Sequence, residues 1–206
     1  MIDLRTFVFM DSLQLQLASF MATVSKGYLP VAGQASLYVE IAPGIDINRL
    51  TDIALKQTGV RPGIQIVERA FGFLEVHSDD KGEVIAAGEA ILNSVNLREE
   101  DRLKPKILTS QLIKNIDDYQ AQLINRVRHG NMILKGDTLF FIETDPAGYT
   151  FYIANEAEKA CHLNIVEVVG HGRFGRIYIA GDEAEIVIAQ EAAHRAVEAI
   201  TGREIK

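Results

Sequence analysis

The chain has 206 residues, enough for one large domain or two of about 100 residues each. Hydrophobic residues make up 48% and charged residues 24%, a globular composition that argues against disorder. The net charge of −7, with no dense Lys/Arg stripe among aromatics, excludes a protein that neutralises nucleic-acid backbones.

Leu4 to Phe9 is β-branched and aromatic and reads as a strand. Asp11-Ser12 is the expected start of a helix, with Leu13, Leu17, Phe20, Met21 and Val24 at helical spacing and Gly27 as its end. Ser36 to Ile41 predicts a strand, and Pro43-Gly44 a turn. Asp46 is expected to cap a helix to about Thr58, with Ile47, Leu50, Ile53 and Ala54 on one face and Gly59 as its stop. Ile64 to Val67 and Phe73 to His77 predict two short strands, followed by a helix from about Asp79 to Val95. Late in the chain, Arg176 to Ala180 predicts a strand, and Asp182 caps a helix to about Thr201 that Gly202 stops.

The chain repeats itself at an offset of 103. Gly27 falls on Gly130, Gly33 on Gly136, Glu40 on Glu143, Pro43 on Pro146, Lys56 on Lys159, Gly72 on Gly175 and Asp79 on Asp182. One stretch leaves this register: Ile66-Val67-Glu68 matches Ile165-Val166-Glu167 at an offset of 99, which predicts a four-residue length difference in the loops on either side. The polar run Arg98 to Arg102, with Pro105 beyond it, is a plausible boundary, giving domains 1–103 and 104–206. Each half is a mixed unit of helices on a small antiparallel sheet, so the fold class is α+β.

A single cysteine, Cys161, allows no intrachain disulfide, fits a reducing compartment and reads as a packing residue. The first residues, Met1 to Arg5, do not have the pattern of a signal peptide, and no stretch predicts a membrane span. The five histidines show no metal-ligand spacing, and no catalytic constellation stands out, so neither metal nor cofactor is expected. Gly170-x-Gly172-x-x-Gly175 matches a dinucleotide fingerprint, but a strand rather than a helix is predicted to follow it, which rejects that reading.

The segments Lys159 to Glu167, Gly170-His171-Gly172-Arg173 and Ile177 to Asp182 resemble the signature of the bacterial microcompartment (BMC) shell domain. Asp52 to Lys56, Ile66 to Gly72 and Asp79 form a weaker copy. In single-domain members the strand and helix equivalent to residues 1–35 come last; here they come first in both halves, which resembles the circularly permuted tandem members. Leu4 to Gln14, together with Val67-Glu68-Arg69-Ala70-Phe71-Gly72, is similar to the gated tandem shell proteins of carboxysomes, the cyanobacterial β-type in particular.

The resemblance implies two permuted, ferredoxin-like BMC domains and a homotrimer that forms a pseudohexameric tile, with stacked pairs of tiles as a further form. It implies a non-enzymatic protein of the cytoplasmic carboxysome shell, with other shell proteins and small anionic metabolites as partners and no nucleic acid or membrane. Glu68 and Arg69 would gate a central pore, lined by Ala70, Phe71, Gly72, Gly170, His171, Gly172, Arg173, Phe174 and Gly175. Lys56 and Lys159 would lie at the tile edge. Two other readings stay open: a trimeric ferredoxin-like sensor resembling nitrogen-regulatory proteins, and an α+β enzyme with its site between the halves.

Overall fold

A computed structural model describes residues 2–205; Met1 and Lys206, the outer ends of the two expected halves, lie outside the described residues. In chain order the elements are β1 (Asp3–Met10), α1 (Leu15–Val24), β2 (Ala35–Ala42), α2 (Ile47–Gln57), β3 (Arg61–Glu68), β4 (Phe71–Ser78) and α3 (Lys81–Val95). The second half follows with β5 (Lys106–Ile113), α4 (Asp118–Asn125), β6 (Thr138–Asp145), α5 (Thr150–Ala160), β7 (Asn164–Val169), β8 (Gly175–Gly181) and α6 (Glu183–Ala199). They build two four-stranded antiparallel sheets with strand orders β1-β2-β4-β3 and β5-β6-β8-β7.

Strand pairing corrects the expected break in register. Ile64 pairs with Glu75 and Glu167 with Tyr178; Ile66 pairs with Phe73 and Val169 with Arg176. The offset therefore stays at 103, and Glu68 is the equivalent of His171, as Gly72 is of Gly175. The irregularities agree: the registers shift between Pro62 and Ile64 and between Ile165 and Glu167. The Ile-Val-Glu likeness is a coincidence between two apolar strands, whereas the ladder fixes which side chains face the core. Pairing in the first half runs on to Glu68 and Phe71, so β3 is the longer strand although no residue has been inserted.

Helix starts are corrected at two places. Asp46 ends a short 3-10 turn and makes no side-chain cap; α3 starts within two residues of the expected place, capped by Asp80, whose Oδ1 accepts from Gly82 N at 2.8 Å. α1 begins at Leu15 rather than beside Asp11-Ser12, and its caps come from the other half. Asn155 Oδ1 accepts from Gln14 N at 2.9 Å; Glu158 accepts from Gln16 N at 2.7 Å and Leu17 N at 2.9 Å. The Asp182 cap on α6 is as expected, its Oδ1 accepting from Ala184 N at 3.1 Å.

The core crosses the join. Leu17, Phe20 and Met21 of α1 pack with Tyr38 and Phe73 of the first sheet against Phe151, Ile153 and Ile165 of the second half. The Phe151 ring stacks 5.3 Å from Tyr38 and 5.7 Å from Phe73, so one aromatic from α5 fills the outer face of the first sheet. A second cluster, with Leu37, Val39, Leu50, Val76, Val84 and Ile91, lies between that sheet and α2 and α3. Among the described residues no helix is long and apolar enough to cross a membrane.

Candidate functional site: the paired loops and the join between halves

The β3–β4 turn and the β7–β8 loop bring the expected gate and pore residues together. His171 Nδ1 lies 2.7 Å from Glu68 Oε2, with both side chains roughly two-fifths exposed. Glu68 is thus held by His171 and not by its neighbour Arg69. Arg69 is exposed and has φ of 53°, a left-handed conformation that costs a non-glycine residue energy and marks a constrained turn. Gly172 has φ of 91°, and a Cβ there would stand 3.3 Å from both Glu68 carboxylate oxygens, so glycine leaves room for that carboxylate.

The other loop residues spread over the same end. Ala70 is exposed, and its carbonyl accepts from Gly44 N at 2.8 Å, which ties the turn to the segment after β2. Phe71 lies 3.8 Å beneath the Arg5 guanidinium, and Arg173 stands over Phe174 at 5.2 Å. Arg173 also borders an open cleft of about 600 Å³ shared with Arg5, Asp145 and Arg203. Gly170 packs against the Phe151 ring, where a Cβ would collide with Cε2. Gly72 and Gly175 are paired strand residues: a Cβ would strike Gly44 O in one case and Ala147 O in the other, so both are needed for packing within the chain.

Under these loops is a buried charge cluster that sequence reasoning missed. Arg5 Nε donates to Glu40 Oε1 at 2.8 Å, and Arg5 Nη2 to Asp145 Oδ1 at 2.7 Å. Gly148 N and Thr6 Oγ1 both donate to Glu40 Oε2. Burial pushes the Glu40 carboxyl above its ordinary range, against the opposing pull of Arg5, Gly148 and Thr6. The one available signal was the repeat of Glu40 as Glu143; Arg5 itself stands where the second half has Leu108.

The two expected edge lysines differ. Lys56 is exposed and pairs within its helix with Asp52 at 2.8 Å. Lys159 reaches Glu156 at 2.7 Å and Asp11 of the first half at 3.5 Å. Among the described residues no group of three or more potential ligands could hold a metal ion.

A family profile described as the CsoS1D N-terminal domain matches residues 4–101. The carboxysome shell protein CcmP of Synechococcus elongatus is 51% identical over 203 residues, covering 98% of this chain and 95% of that protein. This chain belongs to the CsoS1D/CcmP family of microcompartment shell proteins. A fused permuted hexameric shell protein from the RMM microcompartment has a TM-score of 0.95 at 42% identity, covering 98% of this chain and 99% of that one. A double-ringed trimeric shell protein from the same microcompartment has a TM-score of 0.96 at 40% identity, each chain covered completely. The two sheets and their helices are therefore tandem permuted BMC domains, as the resemblance implied.

Proposed function

We propose that this shell protein is a structural, non-enzymatic component of a cytoplasmic carboxysome shell. Its two BMC domains, residues 1–103 and 104–206, act in threes: three copies close into a pseudohexameric tile around a pore. The observation that carries the reading is an unmatched pair of surfaces. Within the chain, α1 docks on β7 and α5 of the second half. Its equivalent, α4, leaves Leu123 65% exposed, and Val127 just beyond its end is 71% exposed. Beside α4, an open cleft of about 410 Å³ is lined by Val169, Arg176 and Tyr178, on the sheet face that corresponds to the one Phe151 fills in the first half.

The complementary surface is present on the first half. Shifting the internal seam by 103 sets α4 against β3 and α2 of a second copy. It also replaces the Arg5–Asp145 contact by Leu108 against Ala42, and the contact of Gly148 by Ile45. Leu108 and Ile45 are exposed, as is Leu55, the counterpart of the capping Glu158. The internal seam carries a buried ion pair beside its apolar core; at the shifted seam the positions of Arg5 and Asp145 become the apolar Leu108 and Ala42, as suits an interface between permanent subunits. A head-to-tail contact that repeats the internal one closes into a ring when three tandem chains supply six equivalent units.

In this tile Glu68 and Arg69 gate the central pore, which admits bulky anionic metabolites of the class of ribulose bisphosphate and phosphoglycerate, and two tiles stack into a double ring. Likeness to shell proteins along the whole chain supports this reading over a nucleotide sensor or an enzyme. Native mass spectrometry at two concentrations tests it. Three times 22.8 kDa gives a trimer of about 68 kDa, and a stacked pair has twice that mass. A monomer or dimer at both concentrations overturns the tile.

A further inference from the structure

The corrected register makes Glu68 and His171 the same position in the two halves, 103 residues apart, and the structure sets them in direct contact. One half contributes a carboxylate, the other an imidazole, and Gly172 leaves room for the carboxylate.

We propose that His171 and Glu68 alternate around the pore as a proton-titratable ring, in which His171 holds Glu68 in place and sets the charge that a passing anion meets. The proposal rests on the trimeric tile. If the external seam repeats the internal one, each Glu68 has an imidazole on both sides: its own chain's at 2.7 Å and that of a neighbouring copy at the equivalent position.

The charged groups around His171 are Glu68 at the end of β3, Arg69 in the following turn and Arg173 in its own loop; Arg173 borders the cleft that also holds Arg5, Asp145 and Arg203. Of these side-chain types, imidazole is the one whose charge in general changes near neutrality, while guanidinium and carboxylate groups hold theirs. With imidazolium, each ring carboxylate is matched by a positive charge, and Arg69 and Arg173 leave the mouth positive. With neutral imidazole the Glu68 charges offset part of the arginine charge, and the mouth attracts anions less strongly.

The pair is partly exposed, so the contact is weak enough to break and reform. That is the property a gate needs: Glu68 docks on protonated His171 and is released as the ring loses its protons. His171 is a positioning and selectivity residue, and it makes the gate responsive to pH.

The test uses the full-length trimer after its mass has been verified; a protein that is no trimer refutes the tile itself and is distinguishable from failure of the ring. Reversal potentials in a potassium chloride gradient across a planar bilayer give the chloride-to-potassium permeability ratio. In the wild type this ratio should fall several-fold between pH 5.5 and pH 8. In His171→Gln, which keeps a polar side chain and cannot titrate, it should be flat. Equal pH slopes in the two proteins overturn the proposal. Structures of the trimer at the same two pH values give a second reading: the Glu68–His171 contact should be kept at the lower pH and opened at the higher, and a contact unchanged at both likewise overturns it.

Discussion

Arg5 Nη2 donates to Asp145 Oδ1 at 2.7 Å, linking the first strand of one domain to the end of a central strand of the other. Among the described residues Arg5 is the only buried cation in a cluster with two carboxylates, Glu40 and Asp145, and Phe71 at the start of β4 rests on its guanidinium. Removing it by Arg5→Met leaves two buried carboxylates without a counter-charge. The expected loss is about 3–5 kcal/mol, read as a lower denaturation midpoint at neutral pH. Asp145→Asn, which keeps an acceptor and removes one charge, should cost much less.

The same cluster gives a pH dependence of known sign. The Glu40 carboxyl is held above its ordinary 4.5, with burial outweighing Arg5 and the Gly148 N–H. A raised value means that the folded chain binds this proton more tightly than the unfolded chain. The contribution is fully present below the ordinary value and is lost as pH rises through the folded one. Stability measured by urea titration should therefore contain a component that declines with rising pH and is missing in Glu40→Gln.

Gly72 and Gly175 make paired predictions. Each faces a turn so closely that a Cβ would strike a backbone carbonyl, Gly44 O or Ala147 O, and backbone cannot move aside as a flexible side chain can. Gly72→Ala and Gly175→Ala should each lower stability by roughly 1–3 kcal/mol. Because the two glycines are equivalent, thermal melts of the two variants should shift in the same direction and by similar amounts.

The sequence carried the local features well and the long-range ones poorly. Strand β2 and helix α6 with its Asp182 cap were legible because a short β-forming run, helical spacing and a capping aspartate act within a few residues. The cap on α1 was not, because Asn155 and Glu158 lie about 140 residues away, and Asp11-Ser12 offered a nearer, wrong start. Register at β3 and β7 was misread because Ile-Val-Glu recurs by chance, while the pairing that decides it is formed with β4 and β8. That error also hid the most informative relationship at the candidate site, the equivalence of Glu68 and His171.

The distant cap on α1 has its own consequence. Glu158 satisfies two N–H groups at the first turn and adds negative charge at the positive end of the helix. Glu158→Ala should cost about 1–2 kcal/mol, and Glu158→Gln less, since the amide oxygen still accepts. Hydrogen exchange should localise the loss: the amides of Gln16 and Leu17 should exchange faster while those of α3 hold. Uniform acceleration across both domains would show that the carboxylate supports more than this helix end.

Assembly should depend on α4 in a way that folding does not. Leu123 and Val127 are largely exposed in the single chain, so Leu123→Glu and Val127→Asp remove little buried area from the fold. In the tile both positions would lie in an apolar seam, where an unpaired carboxylate costs several kcal/mol at each of three equivalent interfaces. Either variant should keep the circular dichroism of the wild type and run at the 22.8 kDa of one chain in native mass spectrometry. The mirror variant Ile45→Glu, on the opposite side of the same seam, should do likewise. Mixing a seam variant from each side should restore no trimer, because every head-to-tail contact needs both surfaces intact and a closed ring of three needs all its contacts. A full-mass trimer from Leu123→Glu would mean that α4 faces solvent in the assembled tile and that the ring closes through another surface.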